Sequence, residues 1–267
     1  MSRLSPVFSQ LKARNERALI CYITAGDPSA DLTVEIIKAI AEGGADAIEV
    51  GIPFSDPMAD GPSIQASTQR ALDKGMTTAK TLELIRVTRE NCPNLPIVPM
   101  TYYNPVLCCG LEKFAQDAAS AGVDAAIITD LTPEEANPWK ETAAKNGIDT
   151  IFLLAPTSTN ERIEIVSRIS TGFIYCVSRT GVTGAKQDVP EELKNTVNSI
   201  KSHSSTPVCV GFGISTPEHV CKISQFADGV VVGSALVDLI HNNRDSADLL
   251  IKVRNFVASL KEATKLD

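Results

Sequence analysis

Short runs of apolar and β-branched residues alternate along the chain with longer segments that carry an apolar stripe at helical spacing. The eight runs span residues 19–24, 47–51, 96–100, 125–129, 150–154, 173–178, 207–211 and 229–233. In the segment after the first run, Leu32, Ile36 and Ile40 share one helical face, and Gly43-Gly44 ends that pattern. Eight strand–helix repeats predict an α/β fold, a single (β/α)8 barrel domain over residues 1–267.

The ends of the chain and one long interval complete this prediction. Ser5-Pro6 opens a short extra N-terminal helix, and apolar positions within 249–260 predict a last helix. The interval 52–78 is too long for a simple strand-to-helix connection, so we expect a long functional loop after strand 2. A doubly wound open sheet is the alternative fold, but residues 24–28 lack the Gly-rich turn that it requires.

Composition and charge narrow the class of protein. The hydrophobic content of 43% and charged content of 21% are ordinary for a globular chain, and the net charge of -7 argues against a nucleic-acid or membrane surface. No signal-peptide pattern or membrane-length apolar run occurs, so we expect a cytoplasmic protein. The 7 Cys show no CxxC spacing and the 3 His lie far apart, which favours reduced thiols and no metal.

Two acidic residues are the first candidates for chemistry. Glu49 lies in an otherwise apolar strand, where burial raises the pKa of a carboxyl and suits it to proton transfer. A salt bridge with a neighbouring Lys is the structural alternative. Asp56 and Asp60 lie in the Pro-rich segment 53–62, which is able to hold Asp60 across from Glu49 as a second acid. Ordinary turn capping is the alternative for both aspartates.

Glycines follow the last two strands. Gly211 and Gly213 flank the end of strand 7, and Gly233-Ser234 ends strand 8 and opens a helix. Backbone N–H groups in these loops frequently bind phosphate in barrels, so we expect a phosphate ester of modest size. The alternative is that glycine only relieves crowding where strands turn into helices.

The segment 178–185 after strand 6 has two glycines around small polar residues. It resembles a lid in which Thr183 bonds a catalytic carboxylate on closure and Gly184 offers its N–H to the phosphate. A plain flexible loop is the alternative.

Residues 48–62 closely resemble the signature of the tryptophan synthase α subunit family. Similar stretches follow in order along the whole chain, at 24–28, 102–105, 129–131, 178–184, 211–215 and 233–235. The resemblance implies a retro-aldol cleavage of indole-3-glycerol phosphate to indole and D-glyceraldehyde 3-phosphate. It assigns both proton transfers to Glu49, and to Asp60 the binding of the indole N–H.

The resemblance also implies the substrate-binding residues. An indole pocket would be lined by Tyr22, Ile64, Met100, Tyr102, Thr129 and Leu153, with Tyr175 near the glycerol part or Glu49 unless it is only a packed core residue. The phosphate would meet Thr183, Gly184, Phe212, Gly213, Gly233 and Ser234. This chain departs from the family at Tyr22 (often Phe), Thr129 (often Ala) and Thr132 (commonly Pro), which changes pocket polarity and loop rigidity.

Members of the family usually pair with a pyridoxal-phosphate (PLP) β subunit. The resemblance therefore implies an α2β2 heterotetramer in which this chain docks through the loops 53–56 and 103–109, and it implies no cofactor in this chain.

A sugar-phosphate isomerase, an aldolase and the ring-closing indole-glycerol-phosphate synthase are rival enzymes on the same fold. A Schiff-base aldolase needs a strand Lys, which the eight runs lack. A subunit that acts mainly as an allosteric binding partner, and a homologue that works alone and releases indole, are further alternatives.

Overall fold

The computed structural model describes residues 2–177, 191–211 and 213–266. Eight parallel strands close into a barrel in sequence order, which confirms the predicted (β/α)8 architecture. The strands are β1 (Ala18–Thr24), β2 (Ala47–Gly51), β3 (Ile97–Thr101), β4 (Ala125–Ile128), β5 (Asp149–Leu154), β6 (Ile174–Val177), β7 (Val208–Gly211) and β8 (Gly229–Val232). Within the described residues, each predicted strand end lies no more than one residue from the observed end.

Helices surround the barrel and close one of its ends. They are α1 (Leu4–Ala13), α2 (Ala30–Glu42), α3 (Pro62–Asp73), α4 (Thr78–Asn91), α5 (Tyr103–Cys109), α6 (Leu111–Ser120), α7 (Asn137–Lys145), α8 (Asn160–Ile169), α9 (Glu191–His203), α10 (Pro217–Ser224), α11 (Ser234–Asn242) and α12 (Leu249–Glu262). The expectation of one long loop over 52–78 is therefore too simple, because α3 fills much of it. Gly61 is extended and Pro62 begins the helix, where the missing proline N–H needs no partner.

The strand side chains separate into two layers because successive residues of a strand point to opposite faces. In β1, residues 18, 20 and 22 belong to an inner cluster inside the barrel, whereas residues 19, 21 and 23 pack in the outer layer with the helices. Helix α1 closes the amino-terminal end, since Phe8 joins the inner cluster with its ring centroid 6.2 Å from that of Phe173. The open end of the barrel is the one formed by the carboxyl ends of the strands.

Three aspartates lock the amino-terminal end of the barrel. Asp46, Asp124 and Asp228 each directly precede an even-numbered strand and accept a hydrogen bond from the backbone of the strand before it. The three bonds come from the N–H groups of Leu19 (2.7 Å), Ile97 (2.9 Å) and Val208 (2.9 Å). Asp124 is 1% exposed and also binds the guanidinium groups of Arg3 and Arg89. These buried bonds make the amino-terminal end of the barrel rigid.

Candidate active site

Glu49 lies in the middle of β2, opposite Tyr22 of β1 and Val98 of β3. Ala47, two residues earlier on the same strand, belongs to the inner cluster, so the Glu49 side chain also faces the barrel interior. Glu49 is 1% exposed, and its Oε1 has no hydrogen-bond partner among the described residues. Burial raises the pKa of Glu49 to about 8. At neutral pH this carboxyl is therefore mostly protonated and able to donate a proton.

The loop 52–61 brings in a second carboxyl, that of Asp60, which is 5% exposed. The Tyr102 hydroxyl accepts a hydrogen bond from the Ala59 N–H at 2.9 Å and donates one to the Asp60 carboxylate. The Phe54 and Tyr102 rings pack in a tilted arrangement with their centroids 5.3 Å apart, which holds the loop against the end of β3 and the start of α5. Burial raises the pKa of Asp60 to about 6, and the bond from Tyr102 opposes that rise. Asp60 is therefore mostly ionised at neutral pH.

The carboxylates of Glu49 and Asp60 both affect the pKa values of the same two phenols, Tyr22 and Tyr175. Burial is the main reason why the pKa values of Tyr22 and Tyr175 lie far above the ordinary value, and both carboxylates raise them further. The two acids and the two tyrosines therefore lie close together toward the carboxyl ends of the strands.

The side chains around these four groups are mainly apolar. Tyr22, Ile64, Met100 and Tyr175 belong to one inner cluster, and Leu153 packs against it. Tyr102 is buried beside Asp60. An apolar slot with a few convergent polar groups is the usual form of a site for an aromatic ligand. The structure thus brings together most of the residues that the resemblance assigned to an indole pocket.

Two of the departures from the family pattern lie in or after β4. Thr129 follows this strand and is partly buried, and both its N–H and its hydroxyl donate to the Thr101 carbonyl, at 2.9 and 3.0 Å. A side-chain hydrogen bond between Thr129 and Tyr102 also lowers the pKa of Tyr102, so Thr129 acts on the site through that phenol. Thr132 lies in a turn in which its carbonyl accepts from the Glu135 N–H at 3.1 Å, a bond that a proline there would also allow.

The end of β8, next to Tyr22 of β1, has the features of an anion-binding site. Ser234 begins α11 directly after Gly233, and the first turn of α11 carries no acidic residue. The first N–H groups of a helix have no intrahelical partners, and the positive end of the helix dipole favours an anion there. Gly213 has φ +76 and open space where a side chain would begin, so the backbone conformation, rather than crowding, requires glycine. Thr183, Gly184 and Phe212, also assigned to the phosphate, lie outside the described residues.

Two glycines at strand ends make room for the phenols, and the sequence interpretation of Gly51 and Gly211 did not include this role. A side chain on Gly51 would begin 2.1 Å from the Tyr22 hydroxyl, and one on Gly211 would begin 2.1 Å from the Tyr175 hydroxyl. The hydrogen bonds of Tyr102 with the Asp60 loop were also not predicted. The available signal was the position of each glycine at the end of a strand next to a tyrosine-bearing strand, which is too general to use alone.

The described part of the chain contains neither a disulfide nor a group of residues placed to bind a metal ion. All seven cysteines are free, with Cys21, Cys176 and Cys209 buried. No group of three His, Cys, Asp or Glu residues within 2–177, 191–211 and 213–266 is placed to hold a metal ion. No helix in these ranges is long and apolar enough to cross a bilayer.

An eight-stranded parallel barrel with two buried acids of different protonation at the carboxyl ends of its strands defines an acid–base enzyme of the (β/α)8 class. Comparison with known proteins identifies the family. The model of the tryptophan synthase alpha chain family matches residues 8–265. The chain therefore belongs to this family, as its resemblance predicted, and is a lyase of tryptophan biosynthesis.

Individual relatives agree over the whole length. The tryptophan synthase alpha chain of Geobacter sulfurreducens is 49% identical over 263 residues, 98% of this chain and 99% of that protein. The alpha chain of Solibacter usitatus is 47% identical over 261 residues, 98% and 97% of the two chains. The crystal structure of tryptophan synthase subunit alpha from Legionella pneumophila superposes with a TM-score of 0.91 at 37% identity, over 99% and 98%. A chain of Mycobacterium tuberculosis tryptophan synthase gives 0.91 at 39% identity, over 100% and 99%.

Proposed function

We propose that this chain cleaves indole-3-glycerol phosphate to indole and D-glyceraldehyde 3-phosphate, with Glu49 as the acid–base residue and Asp60 as the stabilising carboxylate. The observation that carries these roles is the difference between the two acids. Their pKa values of about 8 and about 6 leave one protonated and the other ionised at neutral pH, although both are buried. A proton donor and a fixed negative charge are the two groups that the reaction requires.

The steps balance with one proton held by Glu49. Protonated Glu49 gives its proton to indole C3, and the ring nitrogen gains positive charge, which the Asp60 carboxylate stabilises through the N–H. The Glu49 carboxylate then removes the proton of the hydroxyl on the glycerol carbon bonded to C3. The electrons of that O–H bond form the aldehyde, and those of the C–C bond return to the ring. Indole leaves, and Glu49 is protonated again.

The remaining site residues have binding roles in this proposal. Tyr22, Ile64, Met100, Tyr102, Thr129 and Leu153 line the indole pocket, Tyr175 contacts the glycerol part, and Gly213, Gly233 and Ser234 hold the phosphate together with Thr183, Gly184 and Phe212. Because proton transfers and a helix N-terminus suffice for this chemistry, we assign no cofactor to this chain. Its retained activity after dialysis against a chelator would support that assignment.

Indole release by the purified chain tests the proposal. The wild type is expected to produce indole from indole-3-glycerol phosphate, and Glu49→Gln is expected to bind substrate but turn it over at least about 10³-fold more slowly, because both proton transfers are lost. Asp60→Asn should also lose activity while its fold is kept. Glu112→Gln, which removes an exposed carboxylate from α6, is the matched control. A wild type that releases no indole, alone or with a β subunit, would overturn the proposed reaction.

The partner expected for this family is a β subunit, and we propose an α2β2 heterotetramer in which PLP belongs to that subunit. Met58 is 85% exposed in the Asp60 loop, and Leu107 is 51% exposed on α5. Exposed large apolar side chains on two adjacent segments suit a protein interface. The double variant Met58→Asp, Leu107→Asp should fail to assemble with a β subunit, as measured by light scattering, and the β subunit should no longer stimulate its indole release. Ile251→Asp on α12 should change neither result.

We place the enzyme in the cytoplasm, and cell fractionation tests this.

A further inference from the structure

A buried chain of hydrogen bonds connects β1 to α3 beside the active site. The Tyr22 hydroxyl lies 3.3 Å from Thr24 Oγ1, which lies 2.6 Å from Ser67 Oγ. The Ser67 hydroxyl in turn donates to the Ile64 carbonyl at 2.8 Å. Tyr22, Thr24 and Ser67 are all buried, so water does not compete for these bonds. We name this set of bonds the Tyr22 relay.

The chemistry of the groups fixes the direction of the relay. A carbonyl oxygen only accepts, so the single Ser67 hydrogen goes to Ile64. Ser67 must then accept from Thr24, and Thr24 must accept from Tyr22. Each hydroxyl hydrogen has one partner. The Tyr22 hydroxyl hydrogen is therefore used in the bond to Thr24, on the side of the barrel that α3 covers.

The two ends of the Tyr22 side chain lie at the ends of β8 and β2, the strands on either side of β1. Its Cβ lies 3.5 Å from where a side chain on Gly233 would begin, and its hydroxyl lies over Gly51, where a side chain would begin at 2.1 Å. The ring thus crosses from the end of β8 to the end of β2. The bond to Thr24 holds the hydroxyl edge of the ring.

The relay ends where α3 begins, close to Asp60. Helix α3 starts at Pro62, two residues after Asp60, and Gln65 of its first turns donates to the Asp60 carbonyl at 2.7 Å. We propose that Tyr22 is a positioning residue. Its hydroxyl orients that of Thr24, and the Thr24–Ser67 bond fastens α3 to β1 and so fixes Asp60 relative to Glu49 on the adjacent strand. This inference rests on the proposed function, in which Asp60 stabilises charge on the indole.

The test compares Tyr22→Phe, Ser67→Ala and the double variant with the wild type, with Thr88→Val as control. Tyr22→Phe keeps the ring, and Ser67→Ala leaves Tyr22 and Thr24 in place but cuts the tie to α3. Thr88→Val removes a buried hydroxyl without a partner among the described residues on α4, away from the site. The readouts are kcat, KM and the pH dependence of indole release, together with hydrogen exchange of the α3 amides.

Each single variant is expected to lower kcat about fivefold, the equivalent of one neutral hydrogen bond, with little change in KM. The double variant should be no slower than Ser67→Ala alone, because Tyr22 acts only through the Thr24–Ser67 bond that Ser67→Ala already removes. The acidic limb of the pH profile should move to higher pH, because a displaced Asp60 loses the bond from Tyr102 that lowers its pKa. The α3 amides should exchange faster, and Thr88→Val should behave as wild type.

Other outcomes overturn the inference. Wild-type behaviour of Ser67→Ala would show that the tie to α3 is not used, and a rise in KM alone for Tyr22→Phe would assign the hydroxyl to substrate binding. If the wild type itself releases no indole, the proposed reaction fails, and exchange of the α3 amides decides the relay separately. Faster exchange in Ser67→Ala then supports the tie, and unchanged exchange refutes it.

Discussion

Replacing Glu49 by Gln is expected to inactivate the enzyme and at the same time stabilise its fold. Glu49 has a pKa of about 8 in the folded chain, against an ordinary value of 4.5. The folded state therefore binds the proton more tightly than the unfolded state does. Its stability falls as pH rises between these two values and levels off above the higher one. Gln has nearly the shape of protonated Glu and does not ionise, so it avoids this loss.

The two pKa values set the size of the effect. Burial of Glu49 costs about 2 kcal/mol at pH 6 and about 5 kcal/mol at pH 9 by proton linkage. The advantage of Glu49→Gln in free energy of unfolding should therefore grow by about 3 kcal/mol between these pH values. Any fixed cost of burying the Gln amide is the same at both pH values and cancels in this difference.

Urea unfolding at pH 6 and pH 9 measures the difference. Trp139 is the only tryptophan and is 1% exposed, so its fluorescence reports loss of the core next to α7, and circular dichroism follows the helices. Glu112→Gln controls for the loss of one negative charge and should show no growing advantage. An equal advantage of Glu49→Gln at both pH values would refute the reasoning, since Glu49 would then be ionised at little cost.

Two further predictions concern catalysis and stability. The rate of indole release should follow a bell-shaped pH profile with limbs near the pKa values of Asp60, about 6, and Glu49, about 8, because one acid must be ionised and the other protonated. Tyr102→Phe should move the acidic limb to higher pH, and an unmoved limb would contradict the assignment of that limb. Asp124→Ala should lower the free energy of unfolding by about 3 kcal/mol, because it takes the carboxylate partner from Arg3 and Arg89 and the acceptor from the Ile97 N–H, while activity per folded molecule is kept. Asp117→Ala, in an exposed pair with Lys113, is its control in the same denaturation assay, and equal effects of the two changes would exclude a special role for Asp124.

The fold was predictable because strand runs and helical stripes leave a direct record in the order of residues. The buried faces of the strands are almost wholly apolar, and the helices between them keep a 3.6-residue period. The interval 52–78 was the exception, since Pro and Gly there suggested a loop, whereas α3 gains its stability by burying Ile64, Ser67, Thr68 and Ala71 against the barrel. Local signals do not contain that tertiary contribution.

The two candidate acids could be named from the sequence, but their protonation states could not. A carboxylate in an apolar strand and another in a Pro-rich segment suggested chemistry at Glu49 and Asp60, and structural alternatives stood beside each. Their pKa values depend on which groups bury them and which groups bond them. For Asp60 that group is the hydroxyl of Tyr102, which is 42 residues away and belongs to another strand end.

The sequence alone determined the barrel, the order of its strands, the family and the residue types at the open end of the barrel, because each of these is recorded in local periodicity or in a contiguous motif. Only the tertiary structure decided how Glu49 and Asp60 differ in protonation, how Gly51 and Gly211 admit two phenol hydroxyls, and how Tyr22 is joined to α3. These properties arise from burial and from hydrogen bonds between residues that are distant in the chain. Burial and direction of bonding are properties of the assembled barrel and of no single segment.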